Sequence, residues 1–146
     1  MHTIGEISNK FNLSISTIRY YDKEGLFPNV ERKNGIRQFS DSDVESILII
    51  ECLKKSGMQI KEIKRFLDWC NQGDGTLQKR YKMFIEQKEK VLSQIAELEK
   101  ALNLINYKCW YYQEACKQGT DKNIKNLDIK DMPVQIQNLY RQIHNT

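Results

Sequence analysis

Five residues in one short stretch, Ser16, Thr17, Arg19, Tyr20 and Lys23, combine hydroxyls with positive charge. Hydroxyls and guanidinium forks hydrogen-bond to base edges, and arginine and lysine heads neutralise phosphates. The chemistry this stretch can do is recognition of double-stranded DNA. Arg37 and Phe39 stand close together in a second stretch, and Lys61 belongs to a third, basic one with Lys54, Lys55, Lys64 and Arg65. Catalysis has no comparable carrier: there is no Gly-rich phosphate loop, no paired carboxylates in a recognisable motif and no Cys–His pairing, so no enzyme is expected. The four cysteines, Cys52, Cys70, Cys109 and Cys116, contain no C-x-x-C pair. Cys109 and Cys116 are two helical turns apart, about 10 Å, too far for one ion on one continuous helix. His2 and His144 sit at the two ends of the chain. Neither a metal site nor a cofactor is expected.

These side chains need a scaffold, and the order of residues supplies its outline. Thr3 followed by Glu6 reads as a capping box, opening a first helix near 3–11 with Ile4, Ile7 and Phe11 inward. Asn12 interrupts, Ser14 is a good N-cap for a second helix, and Gly25 suits the left-handed residue that ends one. Ile15, Ile18 and Tyr21 form the inner face of that second helix, leaving Ser16, Thr17, Arg19, Tyr20 and Lys23 on the outside. Two short helices joined by a tight turn, the second with a polar and basic face, make a helix-turn-helix pattern. Pro28, the Asn34-Gly35 pair and the alternating Ile36-Arg37-Gln38-Phe39 then predict a small β-hairpin, a wing with Arg37 at its tip. Ser40 and Asp43 cap a third helix that Gly57 ends. Its residues Val44, Leu48 and Cys52, at four-residue steps, are expected to point inward. A fourth helix runs from about Gln59 to Cys70, and Asn71–Gly75 reads as a hinge.

From Leu77 the pattern changes. Leu77, Tyr81, Phe84, Lys88, Val91, Ile95, Leu98, Leu102, Ile105, Cys109, Tyr112 and Cys116 follow one another at steps of four and three. That is a heptad seam in which only Lys88 is polar, on a helix about 60 Å long. One helix cannot bury such a seam alone, so a homodimer is expected, with the same helix of a second chain as partner. On this seam Cys109 and Cys116 read as small hydrophobes. The chain thus divides into a DNA-binding domain over 1–72, a dimerisation helix over 73–118 and a short C-terminal tail over 119–146, whose apolar residues suffice to dock somewhere.

Composition agrees with this outline. In 146 residues, 40% are hydrophobic and 29% charged, with only two prolines, which excludes collagen-like and wholly disordered readings. The longest aliphatic run, Ile47 to Ile50, falls far short of the ~20 residues a bilayer requires. No apolar signal region follows the start of the chain, so no membrane partner is expected and the cytoplasm is the expected location. The net charge of +4 is shared evenly between the part through residue 65 and the remainder, so local clusters, not bulk charge, carry the nucleic-acid reading.

The stretch TIGEISNKFNLSISTIRYYDKEGLFP, the wing NGIRQFS and the segment KKSGMQIKEIKRFL together resemble the MerR family of bacterial transcription regulators. The combination of R-Y-Y at Arg19–Tyr21, E-G-L at Glu24–Leu26 and G-x-R-x-aromatic at Gly35–Phe39 is specific. The resemblance implies a mainly α-helical fold in which a winged helix-turn-helix dimerises through an antiparallel coiled coil. It also implies binding to a pseudo-palindromic promoter and its distortion for use by RNA polymerase. Two residues depart from the family pattern, Phe39 and Ile36, each standing where a tyrosine is common.

Three kinds of signal remain open. Some family members hold metal with cysteines near the end of the dimer helix, which makes a metal sensor using Cys109 and Cys116 an alternative, although the loop such members use is not evident here. An organic ligand would need a pocket, for which Trp110–Tyr112 are the available aromatics. The whole chain looks most like the branch linked to aldehyde and electrophile stress, which carries a lone cysteine in the third helix matching Cys52; nearby Lys54, Lys55, Lys61 and Lys64 would favour its thiolate. The rival to regulation as a whole is a structural adaptor, a small helical domain displayed on a coiled coil.

Overall fold

The computed structural model describes residues 1–145. It divides into two compact units, Met1–Lys88 and Glu89–Thr146. In the first unit, a two-residue strand β1 (His2–Thr3) leads into α1 (Ile4–Phe11) and α2 (Ile15–Lys23), followed by β2 (Glu31–Lys33), β3 (Ile36–Phe39), α3 (Asp41–Lys55) and α4 (Ile60–Gln72). The long helix α5 (Leu77–Gln118) begins here and continues into the second unit, where α6 (Lys122–Lys125) and α7 (Val134–His144) follow it. The architecture is mainly helical, with a helix-turn-helix and wing ahead of one long helix.

Local chemistry accounts for the boundaries. The Thr3 hydroxyl accepts from the Glu6 amide while the Glu6 carboxylate accepts from the Thr3 amide, closing the capping box of α1. Asn12 ends that helix in the left-handed conformation at φ 51°. Ser14 caps α2 through the Thr17 amide, and Ser40 with Asp43 closes a second capping box on α3. Gly25, at φ +81°, adopts a left-handed backbone that favours glycine, and a Cβ there would also press on the flexible Lys64 side chain at 3.0 Å. At the wing tip both Asn34 (φ 51°) and Gly35 (φ +79°) are left-handed, the geometry of the tight two-residue hairpin turn. β2 and β3 pair antiparallel with Arg32 opposite Arg37. β1 pairs with the other edge of β3, His2 opposite Phe39, so the wing is a three-stranded sheet in the order β1-β3-β2. Two residues are too short for any periodicity, and β1 leaves no trace in the sequence pattern.

The core of the first unit gathers Ile7, Ile18, Tyr21, Leu26, Phe27, Phe39, Ile47, Ile50 and Ile63, all at most 3% exposed. Phe39 stacks edge-on against Phe27 at 5.5 Å. Two expectations fail here. Ile15 is 40% exposed, because α2 begins at this residue and its inner face is carried by Ile18 and Tyr21 alone. On α3 the run Val44, Leu48, Cys52 does not stay inward: Val44 is buried, Leu48 is 56% exposed and Cys52 is exposed. Each four-residue step overshoots a full turn by about 40°, so the run walks off the buried face, which belongs to Asp43, Val44, Ile47, Ile50 and Leu53.

The junction after α4 is stapled, where the sequence suggested a hinge. Asn71 and Gln72 complete α4, and Asp74–Thr76 forms a 3₁₀ turn. The buried Thr76 hydroxyl donates to the Trp69 carbonyl at 2.6 Å, and Arg80 donates to the Gly73 carbonyl and to Thr76 Oγ1. Phe84 packs edge-on against Phe66 at 5.1 Å, and the buried Gln87 amide donates to the carbonyl and hydroxyl of Ser56. These contacts carry the first compact unit to Lys88, beyond the boundary expected at residue 72.

In the second unit the remainder of α5 bears Tyr111 and Ala115, which pack with Ile124 of α6 and with Tyr107 and Trp110. The Tyr111 hydroxyl donates to Asp121 at 2.9 Å, and burial followed by that bond pushes its pKa up to about 12. Tyr140 of α7 meets Tyr107 edge-on at 5.7 Å. The C-terminal segment therefore docks on the end of α5.

Two tests follow from this packing. Phe39→Ala removes a fully buried ring and should cost about 3–5 kcal/mol in urea unfolding. The Thr3 amide and hydroxyl hold the exposed Glu6 carboxyl below its ordinary range. A lowered folded pKa gives stability that is present above the unfolded value, about 4.3, and lost as pH falls through the folded one. Melting curves at neutral and acid pH should therefore show a smaller acid loss for Glu6→Gln than for the wild type.

Candidate nucleic-acid interface

On a helical projection, Ser16, Arg19, Tyr20 and Lys23 fall within roughly 100° of one another, opposite Ile18. The structure leaves all four exposed, with Tyr20 at 48%. Arg19 and Lys23 enter no ion pair or hydrogen bond among the described residues, so α2 offers two unneutralised cations beside a phenol. Thr17 lies to the side of this face, half-buried, its hydroxyl sharing a 2.7 Å hydrogen bond with Ser14. It belongs to the helix start, and its hydroxyl is already engaged. Ser16 also approaches the Ser14 hydroxyl, at 2.9 Å, but remains exposed.

The inner side of α2 is anchored by two consecutive residues. Tyr21 is buried; its hydroxyl donates to Glu51 Oε1 and accepts from Lys54 Nζ, both at 2.6 Å. Burial first, and then the bond to Glu51, raise the phenol's pKa well above its ordinary value. Asp22 Oδ2 accepts from Arg37 Nε at 2.7 Å and from Arg32 at 3.3 Å. Arg37 is thus not at the wing tip, which Asn34 and Gly35 form; it sits in β3, half-buried against α2. Phe39 is 0% exposed, so its ring fills the core and offers nothing to DNA. Lys61 lies exposed in the first turn of α4, with no ion-pair partner among the described residues.

Asp22 and Glu51 escaped the sequence reading, and Lys54 was read there only as a basic neighbour of Cys52. An acidic residue in a basic stretch reads as ordinary surface charge. The only available signal is pairwise: Asp22 follows the buried Tyr21, and the wing carries one arginine more than a hairpin face tolerates unpaired.

Cys52 lines a groove of about 670 Å³ with Lys10, Phe11, Leu13, Leu48, Glu51 and Lys55. Of the lysines expected around it, Lys54 is bonded to Tyr21 and Lys64 to Asp68, which leaves Lys55 as the one of that group lining the groove. Cys109 and Cys116 are both exposed on α5, and no cluster of three potential metal ligands occurs among the described residues. Trp110 is half-buried and Tyr111 buried within the packing at the end of α5, while Tyr112 is exposed and borders a shallow groove with Cys116 and Asp121. No helix among the described residues is long and apolar enough to cross a membrane.

Comparison with known proteins places this geometry. Residues 2–69 match the MerR HTH family of regulatory proteins. An HTH-type transcriptional regulator of Haemophilus influenzae is 41% identical over 124 residues, 84% of this chain and 92% of its own length. The crystal structure of HiNmlR, a MerR family regulator lacking the sensor domain, bound to promoter DNA, superposes with a TM-score of 0.76 at 42% identity, covering 83% of this chain and 97% of that one. A MerR family transcriptional regulator from Bacillus thuringiensis is likewise 42% identical, covering 74% of this chain and 96% of its own, at a TM-score of 0.68. With a helix-turn-helix whose outer face is bare, a wing clamped beside it and relatives matched along nearly their whole length, the chain belongs to the MerR family of transcriptional regulators.

Proposed function

We propose that the protein binds a pseudo-palindromic promoter as a homodimer, distorts it for use by RNA polymerase, and does so in response to a small-molecule or thiol-reactive stress signal. The observation that carries DNA binding is the α2 face, where Arg19, Tyr20 and Lys23 stand exposed beside the wing and the two cations have no counterion among the described residues. The promoter-bound relative supports the same reading. Dimerisation rests on α5: Tyr81, Ile95, Leu98, Leu102, Ile105 and Tyr112 are each 46–70% exposed in the single chain. Apolar surface on that scale is worth about 25 cal/mol per Å² when covered, and a second copy of the same seam covers it symmetrically. In an antiparallel coiled coil, the two recognition helices read the two halves of the operator.

Cys52 is the proposed sensor. Its exposure makes it reachable by aldehydes and oxidants, which require access as well as thiolate character. The adjacent residue Glu51 holds Tyr21, so an adduct on Cys52 forms next to the hydrogen bond that seats the recognition helix.

Glutamates at Leu98 and Leu102 together should abolish dimers in sedimentation equilibrium and operator binding in the same samples; a dimer that persists would refute the seam. Arg19→Ala and Lys23→Ala should each flatten the dependence of log affinity on log salt by about one unit per subunit, read by fluorescence anisotropy. Unchanged slopes would remove α2 from the interface. Cys52→Ser should keep operator affinity and lose the transcriptional response to aldehydes and thiol oxidants, while joint replacement of Cys70, Cys109 and Cys116 keeps it. A normal response from Cys52→Ser would place the sensor elsewhere.

A further inference from the structure

Arg32 and Arg37 face each other directly across β2 and β3. Like charges in that position repel, yet the pair is held together, because Asp22 Oδ2 receives a hydrogen bond from each. The carboxylate belongs to α2 and the guanidiniums to the wing, so one anion ties the two DNA-facing elements together. Its side chain is only 13% exposed, and that of Arg37 21%, which shields the closer bond from solvent screening. Arg37 is gripped through Nε, so neither terminal amino group of its fork is spent on Asp22. Arg32, at 3.3 Å and 54% exposed, is held more loosely. One carboxylate therefore orients two cations while engaging neither terminal amino group of Arg37 and only one of Arg32.

We propose that Asp22 is a positioning residue for sequence discrimination: it fixes the wing's arginines, as phosphate contacts, in register with the base-reading face of α2. By charge alone, an anion on a DNA-facing surface weakens attraction to every duplex. Phosphate contacts set the register in which side chains reach base edges. A wing free to swing could hold phosphates in several registers, and most would misplace the outer face of α2 over the bases. Asp22 thus lowers affinity for DNA in general and raises preference for one sequence. This inference rests on the DNA-binding function proposed above.

The test begins with a duplex enriched by the full-length wild-type protein from a randomised pool, compared with a scrambled duplex of the same composition. Affinities for both are measured by anisotropy at matched salt. Asp22→Ala should bind the scrambled duplex as well as the wild type or better, yet lose about tenfold or more in the ratio of selected to scrambled affinity. Asp22→Asn, whose amide oxygen still accepts from Arg37 Nε, should keep the larger part of that ratio. A bridge that only stabilises the fold would weaken both duplexes equally; that result, or a ratio within about twofold of the wild type, overturns the proposal. Should Asp22→Ala fail to fold by circular dichroism, Arg37→Met decides. It keeps an unbranched stem of similar shape and has no donor for Asp22, so a fallen ratio supports the role and a retained one overturns it. A wild type that enriches no duplex refutes the DNA-binding function, and the inference falls with it. A wild type and an Asp22→Ala variant that discriminate equally leave that function standing and remove only the role of Asp22.

Discussion

The seating of α2 depends on a buried phenol. Tyr21 cannot leave its hydroxyl unpaired inside the core without a large desolvation cost, and α3 supplies both partners, Glu51 as acceptor and Lys54 as donor. The Lys54 ammonium also lies 5.1 Å from the centre of the Tyr21 ring, adding attraction to the aromatic face. Apolar contacts through Ile18 would hold α2 against the core but would tolerate a rotation. Directional bonds at the hydroxyl do not, and it is the rotation of α2 that determines which side chains face outward. Asp22, the next residue, then fixes the wing relative to the same helix.

Charge is distributed accordingly. The net +4 is modest and evenly spread, and nothing about the bulk composition singles out a polyanionic partner. What matters is which cations are neutralised internally. Lys54 and Lys64 are engaged within the fold, and Arg32 and Arg37 share Asp22. Arg19, Lys23 and Lys61 remain without counterions among the described residues. An approaching polyanion therefore meets charge that costs nothing to release, and this is the economical way for a nearly neutral protein to bind one.

The helices of the first unit were legible because each is bounded by local chemistry: capping boxes at Thr3 and Ser40, a serine cap at Ser14, and left-handed residues at Asn12, Gly25 and Gly57. The hairpin followed from Asn34-Gly35, and α5 from an unbroken seam. The failures have other causes, tertiary contacts that leave no local pattern and, for Cys52, the drift of a four-residue step around the helix. Phe39 alternates with Arg37 as a strand residue should, but alternation does not say which side faces the core, and Phe27 settles it. Cys52 stands four residues beyond Leu48, yet the core of α3 follows a stripe that four-residue steps leave behind. Asp22 gains its meaning only when a wing folded from residues 31–39 returns to it.

The contacts that extend the first unit to Lys88 give α5 more than a mechanical attachment. Gln87 bonds Ser56, the residue that ends α3, and Lys54, in the last turn of that same helix, bonds Tyr21. A shift of α5 at Gln87 is thus felt at the end of α3, and a shift of α3 is felt at the hydroxyl that sets the rotation of α2. Coupling over distance requires such contiguous packed and hydrogen-bonded elements, together with two arrangements of comparable energy between which a signal can choose. The first requirement is met with four residues. For the second, the apolar core resists continuous deformation, so an alternative arrangement must reseat a whole helix and break the Gln87–Ser56 or the Lys54–Tyr21 bond.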